Sequence, residues 1–163
     1  MLNKILDELK NMEESYEEVK YEEKNEMGFI IRRNSDILAQ CGFSIACMSI
    51  GKFDENYVPV IIVDYDFMDI SDNAKQFMIY HELGHFELQR DKMINEWDGT
   101  RDITMEYEAD EYAMNKIGLS NAIDAINELI EVVNEISFGI NTEGIKELEN
   151  RLDNILNKSI IME

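Results

Sequence analysis

At 163 residues, 45% of them hydrophobic, the chain is long enough for one domain with a packed core and too apolar for disorder. Its 35 acids against 15 bases leave a net charge of −20, which repels phosphate backbones and anionic lipid surfaces. Direct nucleic-acid binding and membrane association are therefore not expected.

In chain order, residues 2–20 carry Leu2, Ile5, Leu6, Leu9, Met12, Tyr16 and Val19 at helical spacing, with a solvated Glu/Lys face opposite. This stretch is too acidic and too finely amphipathic for a signal peptide. The segment "RRNSDILAQCG" predicts a short helix stopped at Gly42. "FSIACMSIGKF" and "YVPVIIVDY" predict two strands, and the linking "DEN" makes them an antiparallel hairpin. Pro59 suggests an edge strand or a strand start. The longest apolar run, "VPVIIV", is strand-sized and far short of the roughly 20 residues of a membrane helix. Cys41 and Cys47, the only cysteines, make no disulfide framework and read as buried thiols of a reduced, cytoplasmic protein.

After Asp69 the pattern is helical. Ser71 is placed to cap a helix running to about Arg90. "KMINEWDGTRD" is an irregular connector turning at Gly99. A helix over residues 102–117 stops at Gly118. Ser120 caps another, with Ile123, Ile126, Ile130, Val133 and Ile136 as its stripe, broken at Gly139. A last helix carries Ile145, Leu148, Leu152 and Ile155. The sum is an α+β chain, mostly helical, expected as a single domain over 1–163 with a small antiparallel sheet just before the 71–90 helix.

That helix contains "FMIYHELGHFEL", which holds both histidines of the chain. A helix turns about 100° per residue, so His81 and His85 present two imidazoles on one face, close enough for one metal. Glu82 lies one residue round, beside the metal rather than on it. Ala74, Phe77, Met78 and Leu88 share the histidine face, and imidazoles on an apolar face need partners or a metal. Gly84 removes a side chain where backbone can approach closely. Three protein ligands plus water make a catalytic zinc site, and no histidine remains to be the third. The cysteines lie upstream in strand-like sequence and are poor candidates. Downstream, in "MEYEADEYAMNKIG", Glu106 and Asp110 stand at i, i+4 on a face continued by Ala113 and Ile117. Glu106 is the expected ligand, and Asp110 the acceptor of a histidine ring N–H. Glu108 is rotated roughly 200° away and should be solvated, and Glu111 is the weaker competitor.

HELGH followed by "EYEAD" resembles the gluzincin pattern. The run "VIIVDYDFMDISDNAKQFMIYHELGHFEL" resembles the ImmA/IrrE group of small metallopeptidases, and "EYEADEYAMNKIG" is similar to the M48 family. The resemblance covers about residues 58–118. It implies a zincin-like fold and one Zn2+ per chain held by His81, His85 and Glu106. Glu82 would be the general base toward a zinc-activated water, and Asp110 the supporting aspartate. Asp110 stands where ImmA/IrrE sequences usually have Asn. With no histidine left for the oxyanion, Tyr80, Tyr107, Tyr112, Arg101 or a backbone N–H must serve. The implied activity is endopeptidase action on a protein substrate, a DNA-binding repressor being the class implied. Such a repressor is usually basic, which suits the acidic chain. The alternative class is a zinc-stabilised interaction module that binds its partner without cutting it. A third reading is a helical scaffold in which HELGH is coincidental.

Overall fold

The leucine–isoleucine stripe of the N-terminus forms a helix, α1 (Leu2–Leu9), that buries Leu2, Ile5, Leu6 and Leu9. It ends there in the computed structural model and does not continue to residue 20 as the spacing predicts. Tertiary hydrogen bonds claim the backbone beyond it. The Ser15 N–H donates to the Arg33 carbonyl at 2.9 Å. Arg33 donates to the Met12 carbonyl at 2.7 Å, and the Asn34 amide to the Ser15 carbonyl at 2.9 Å. The Glu14 carboxylate accepts from the backbone N–H and hydroxyl of Ser35 at 3.1 and 3.0 Å. Partners far along the chain thus outweigh a helical pattern that is only locally favourable.

The structure describes residues 1–41, 45–96, 98, 100 and 102–161. The expected helix stop at Gly42, the turn at Gly99 and the side chain of Cys41 lie outside what is described. The chain divides into two compact units, Met1–Asp72 and Asn73–Glu163.

The first unit is built on a three-stranded sheet in the order β1-β3-β2, with β1 (Ile30–Arg33), β2 (Ala46–Phe53) and β3 (Asn56–Val63). The expected hairpin is present: β2 and β3 pair antiparallel from Ala46 opposite Val63 to Phe53 opposite Asn56. Its tight turn places Asp54 at φ 53°, a left-handed conformation that Asp tolerates. The sheet as a whole is mixed rather than antiparallel, because β1 pairs parallel to β3, with Ile30 opposite Val60. The sequence assigns Arg32 and Arg33 to a helix; in the structure they end β1, and the helix α2 (Ser35–Cys41) follows. Asn34 marks the change by accepting from the Ile37 N–H at 3.1 Å. Pro59 is in the central strand, not at an edge. It precedes the β1 ladder, which begins at Val60, so its missing N–H deprives β1 of no partner. Ile30, Val58 and Val60 form the sheet's buried cluster, flanked by Val19, Phe53 and Ile62. Cys47, on β2, is half-buried rather than buried. A short helix, α3 (Tyr65–Asp69), begins where Asp64 accepts from the Phe67 N–H at 3.2 Å.

The second unit is helical. Its helices are α4 (Asp72–Asn95), α5 (Ile103–Ile117), α6 (Leu119–Ile136) and α7 (Thr142–Ile161). α4 starts directly after Ser71 and runs beyond Arg90. It is buried nearly all round between Ala74 and Phe86, as a central helix should be. Leu88 departs from the expected histidine face and is 55% exposed. Asp102 caps α5 by accepting from the Thr104 N–H at 2.9 Å. Gly118, at φ 91°, ends α5 and serves as N-cap of α6 in place of the expected Ser120. The buried line of α6 is Ala122, Ala125, Ile126, Leu129 and Val133, so Ile123, Ile130 and Ile136 lie at its margin. α5, α6 and α7 pack against one another, and Ala109, Ala113, Ala122 and Ala125 are fully buried. Among the described residues no helix is long and apolar enough to cross a membrane.

Asp64 gives a pH-dependent test of the first unit. Burial raises its carboxyl from 3.8 to about 6, against the opposing pull of its hydrogen bonds to backbone. Between those values the folded chain holds the proton more tightly than the unfolded one, so wild-type stability falls as pH rises through the window. Asp64→Asn keeps an oxygen for the Phe67 N–H and removes the charge. Urea unfolding should find D64N more stable than wild type above about pH 6, with the difference vanishing below about pH 4.

Candidate metal centre

α4 stacks His81, His85 and Gln89 at successive i, i+4 positions, so one helical face carries all three. Each imidazole commits its Nδ1 to a protein oxygen. His81 Nδ1 lies 2.8 Å from Asp110 Oδ1, and His85 Nδ1 lies 2.7 Å from Gln89 Oε1. Both acceptors require an N–H on Nδ1. That choice turns the two Nε2 atoms toward each other, 3.1 Å apart. Glu106, from the first turn of α5, brings its carboxylate to the same point. Its oxygens lie 3.2 Å from His81 Nε2 and 3.6 Å from His85 Nε2. One ligand atom from each of His81, His85 and Glu106 falls within 4.8 Å of the others, the arrangement of a group that can hold a metal ion.

The donor set fits zinc. Zn–N and Zn–O bonds of about 2.0–2.1 Å place neighbouring donors on a tetrahedron about 3.3 Å apart. The Nε2–Nε2 separation of 3.1 Å and the 3.2 Å from His81 Nε2 to Glu106 Oε2 lie near that edge, and the other Glu106 oxygen stands 3.6 Å from His85 Nε2. Two Nε2 atoms with their Nδ1 positions already occupied can approach so closely only with a proton or a cation between them. Side-chain ionisation agrees. Burial and the Arg151 charge push His81 down, but the Asp110 hydrogen bond and charge, joined by Glu106, outweigh them and raise it to about 9. Burial and then the adjacent His81 lower His85 to about 4. Burial would raise Glu106, yet His81 and Arg151 hold its carboxyl far below the usual range. A metal ion bound between the two Nε2 atoms would have to displace any proton held there.

Asp110 is wholly buried and does two things at once. Its Oδ1 takes the His81 N–H, and both its oxygens receive the Arg151 guanidinium, from Nε at 2.8 Å and from the NH2 group at 2.7 Å. Burial alone would raise Asp110; Arg151 and then His81 more than reverse this and keep it ionised. Gln89 is the corresponding support for His85. Its amide donates to the Met105 carbonyl and to Glu108, each at 2.9 Å, which fixes its oxygen toward His85.

Of the sequence-predicted site residues, the structure brings together His81, His85, Glu106 and Asp110. Glu82 is buried on α4, one residue beyond His81. Glu108 is exposed, as its helix phase predicts, and is held by Gln89. Glu111 is directed elsewhere, into an ion pair with Lys158. Tyr80, Tyr107 and Tyr112 are half-buried, and Arg101 lies outside the described residues. The sequence reading misses Gln89 and Arg151. Both carry a helical-spacing signal: Gln89 is four residues past His85, and Arg151 falls between Leu148 and Ile155 on the buried stripe of α7.

α4 and α5 can meet because residue 84 is glycine. A Cβ there would stand 3.1 Å from the Ala109 Cα and 3.1 Å from the Tyr112 Cβ, on the turn between Glu106 and Asp110 and the one beyond.

An HELGH helix whose two imidazoles meet the carboxylate of a second helix has the donor arrangement of a hydrolytic metal centre, and comparison with known families assigns the chain to the peptidases. It belongs to the Peptidase U49 family, whose model matches residues 59–142. The matched stretch holds His81, Glu82, His85, Gln89, Glu106 and Asp110, and stops short of Arg151. No curated protein and no solved structure matches the chain.

Gly84→Ala tests the close approach. The added methyl would push against α5 backbone, so unfolding should show a loss of about 1–3 kcal/mol, and the α5 carboxylates should retreat from the histidines. Thermal melts with and without zinc would check this: the zinc-induced rise in Tm should shrink in G84A.

Proposed function

We propose that the chain is a zinc-dependent endopeptidase of the gluzincin type, similar in its site to the ImmA/IrrE group. His81, His85 and Glu106 would hold one Zn2+, Asp110 would fix the His81 ring, and Glu82 would be the general base. The observation that carries this reading is the convergence of both Nε2 atoms and the Glu106 carboxylate, with both Nδ1 positions already committed to Asp110 and Gln89. Membership in a peptidase family supports hydrolysis of a peptide bond as the reaction.

A zinc ion in such a site polarises the scissile carbonyl and lowers the pKa of water toward ~7. The protein's own groups then do the proton work. Glu82 is one helical position beyond a ligand, so it takes the proton from the attacking water without occupying the metal. It returns that proton to the leaving amine. The fully buried Asp110 keeps His81 in the tautomer that offers Nε2.

The substrate in this reading is a protein. The net charge of −20 favours encounter with a basic partner, and a DNA-binding repressor has the required charge.

Metal analysis of the purified protein should find about one zinc per chain, and incubation with basic DNA-binding proteins should give discrete cleavage products. Gln has nearly the shape of Glu but cannot accept the proton. Glu82→Gln should keep the zinc and the melting temperature while cleavage falls about 10²–10⁴-fold. Glu106→Ala removes a ligand and should lose zinc affinity and thermal stability together. Cleavage by E82Q at the wild-type rate would sink the mechanism. Bound zinc with no cleavage by any variant, wild type included, would favour the interaction-module alternative.

A further inference from the structure

Arg151 lies on α7, nine residues past the end of the family match, and its side chain is buried against the site. We propose that Arg151 is a positioning residue of the metal centre, acting through Asp110, and that α7 is therefore part of that centre. The proposal rests on the reading of His81, His85 and Glu106 as metal ligands.

The geometry argues for more than a structural ion pair. A buried ion pair contributes little net stability over apolar side chains of the same volume, so its position is the informative feature. Arg151 meets Asp110 with two parallel N–H bonds, at 2.8 and 2.7 Å, which fixes the plane of the carboxylate as well as its charge. The oxygen receiving the NH2 group is the same Oδ1 that receives the His81 N–H. That NH2 nitrogen comes within 3.3 Å of His81 Nδ1, two donors brought together by one shared acceptor. The remaining guanidinium nitrogen, NH1, is 3.6 Å from Glu106 Oε2 and 3.9 Å from Glu147. One cation thus touches the support of one ligand and lies beside another ligand.

Without the fork, Asp110 would keep only its bond to His81. A carboxylate with one partner can rotate, and His81 would lose the fixed acceptor that holds its proton on Nδ1. Lysine cannot replace this function, because an ammonium is a point charge and does not set the plane of a carboxylate. A second, more exposed pair, Lys158 with Glu111, also links α7 to α5.

The test is zinc affinity of the full chain, measured by competition with a metal-sensitive dye at neutral pH with zinc as the sole ligand. Arg151→Met and Arg151→Lys should each weaken zinc binding about 10–100-fold, the usual effect of removing an outer support of a ligand. In the Asp110→Asn background, adding Arg151→Met should change the affinity by less than about threefold, because the residue through which Arg151 acts is already altered. Arg151→Lys keeps the charge and most of the stem, so it carries the test where R151M does not fold. Unchanged zinc affinity in folded R151M and R151K, with only a lower melting temperature, would overturn the proposal in favour of a purely structural pair. So would losses that multiply independently of Asp110. Wild-type chain that binds no zinc would remove the metal reading and the proposal with it, whereas zinc binding lost in His81→Ala but untouched in both Arg151 variants would overturn the proposal alone.

Discussion

A carboxylate with no exposure to water must be paired, and Asp110 is such a carboxylate. Its two partners come from different helices, His81 from α4 and Arg151 from α7. Satisfying it therefore fixes three helices at one point. It also sets which ring nitrogen of His81 carries the proton, and so which one faces the centre. The orientation of His85 follows the same logic through Gln89, whose amide group is in turn held by α5. The chemistry of the site depends on these hydrogen bonds, which lie one layer behind the candidate ligands.

The remaining architecture of the helical unit serves this alignment. Gly84 lets α5 come against α4 where any larger residue would meet backbone. Asp102 starts α5 one turn before Glu106, so the candidate ligand carboxylate lies in the helix's first turn. α5 packs against both α6 and α7, and Ala109 and Ala113 are fully buried on the face that carries Glu106 and Asp110. The Peptidase U49 match ends at residue 142, so it takes in His81, His85 and Glu106 and leaves out Arg151.

Much of the candidate site is legible in the sequence because helical periodicity is a local rule. With only two histidines in 163 residues, their i, i+4 spacing around Glu82 points to one shared face. The same rule puts Glu106 and Asp110 on the inward side of α5 and turns Glu108 outward, as found. The two ends of α5 are legible too, since Gly118 and Asp102 act through their own backbone and side chain, whereas the end of α1, the end of α4 and the cap of α6 differ from the expectation. Periodicity failed where distant partners intervened. Residues 12–20 have the stripe of a helix, but β1 and its flanking residues take their hydrogen bonds. Four residues of β1 are too few to show a period, so the parallel strand and the mixed sheet were missed. Leu88 sits at the expected helical phase and is still exposed, although its neighbour Gln89 is buried against α5.

The sequence by itself determined the α+β class, the two helices that carry the candidate donors, and which residues those candidates are, because each follows from spacing within a single element. Only the tertiary structure decided that Glu106 reaches both imidazoles, that Gln89 and Asp110 hold the rings, and that Arg151 stands behind Asp110. Apart from the i, i+4 pair of His85 and Gln89, those contacts join residues 21 to 41 positions apart, and no local spacing encodes them. They exist because buried polar groups must find partners, and the partners are chosen by how the helices pack.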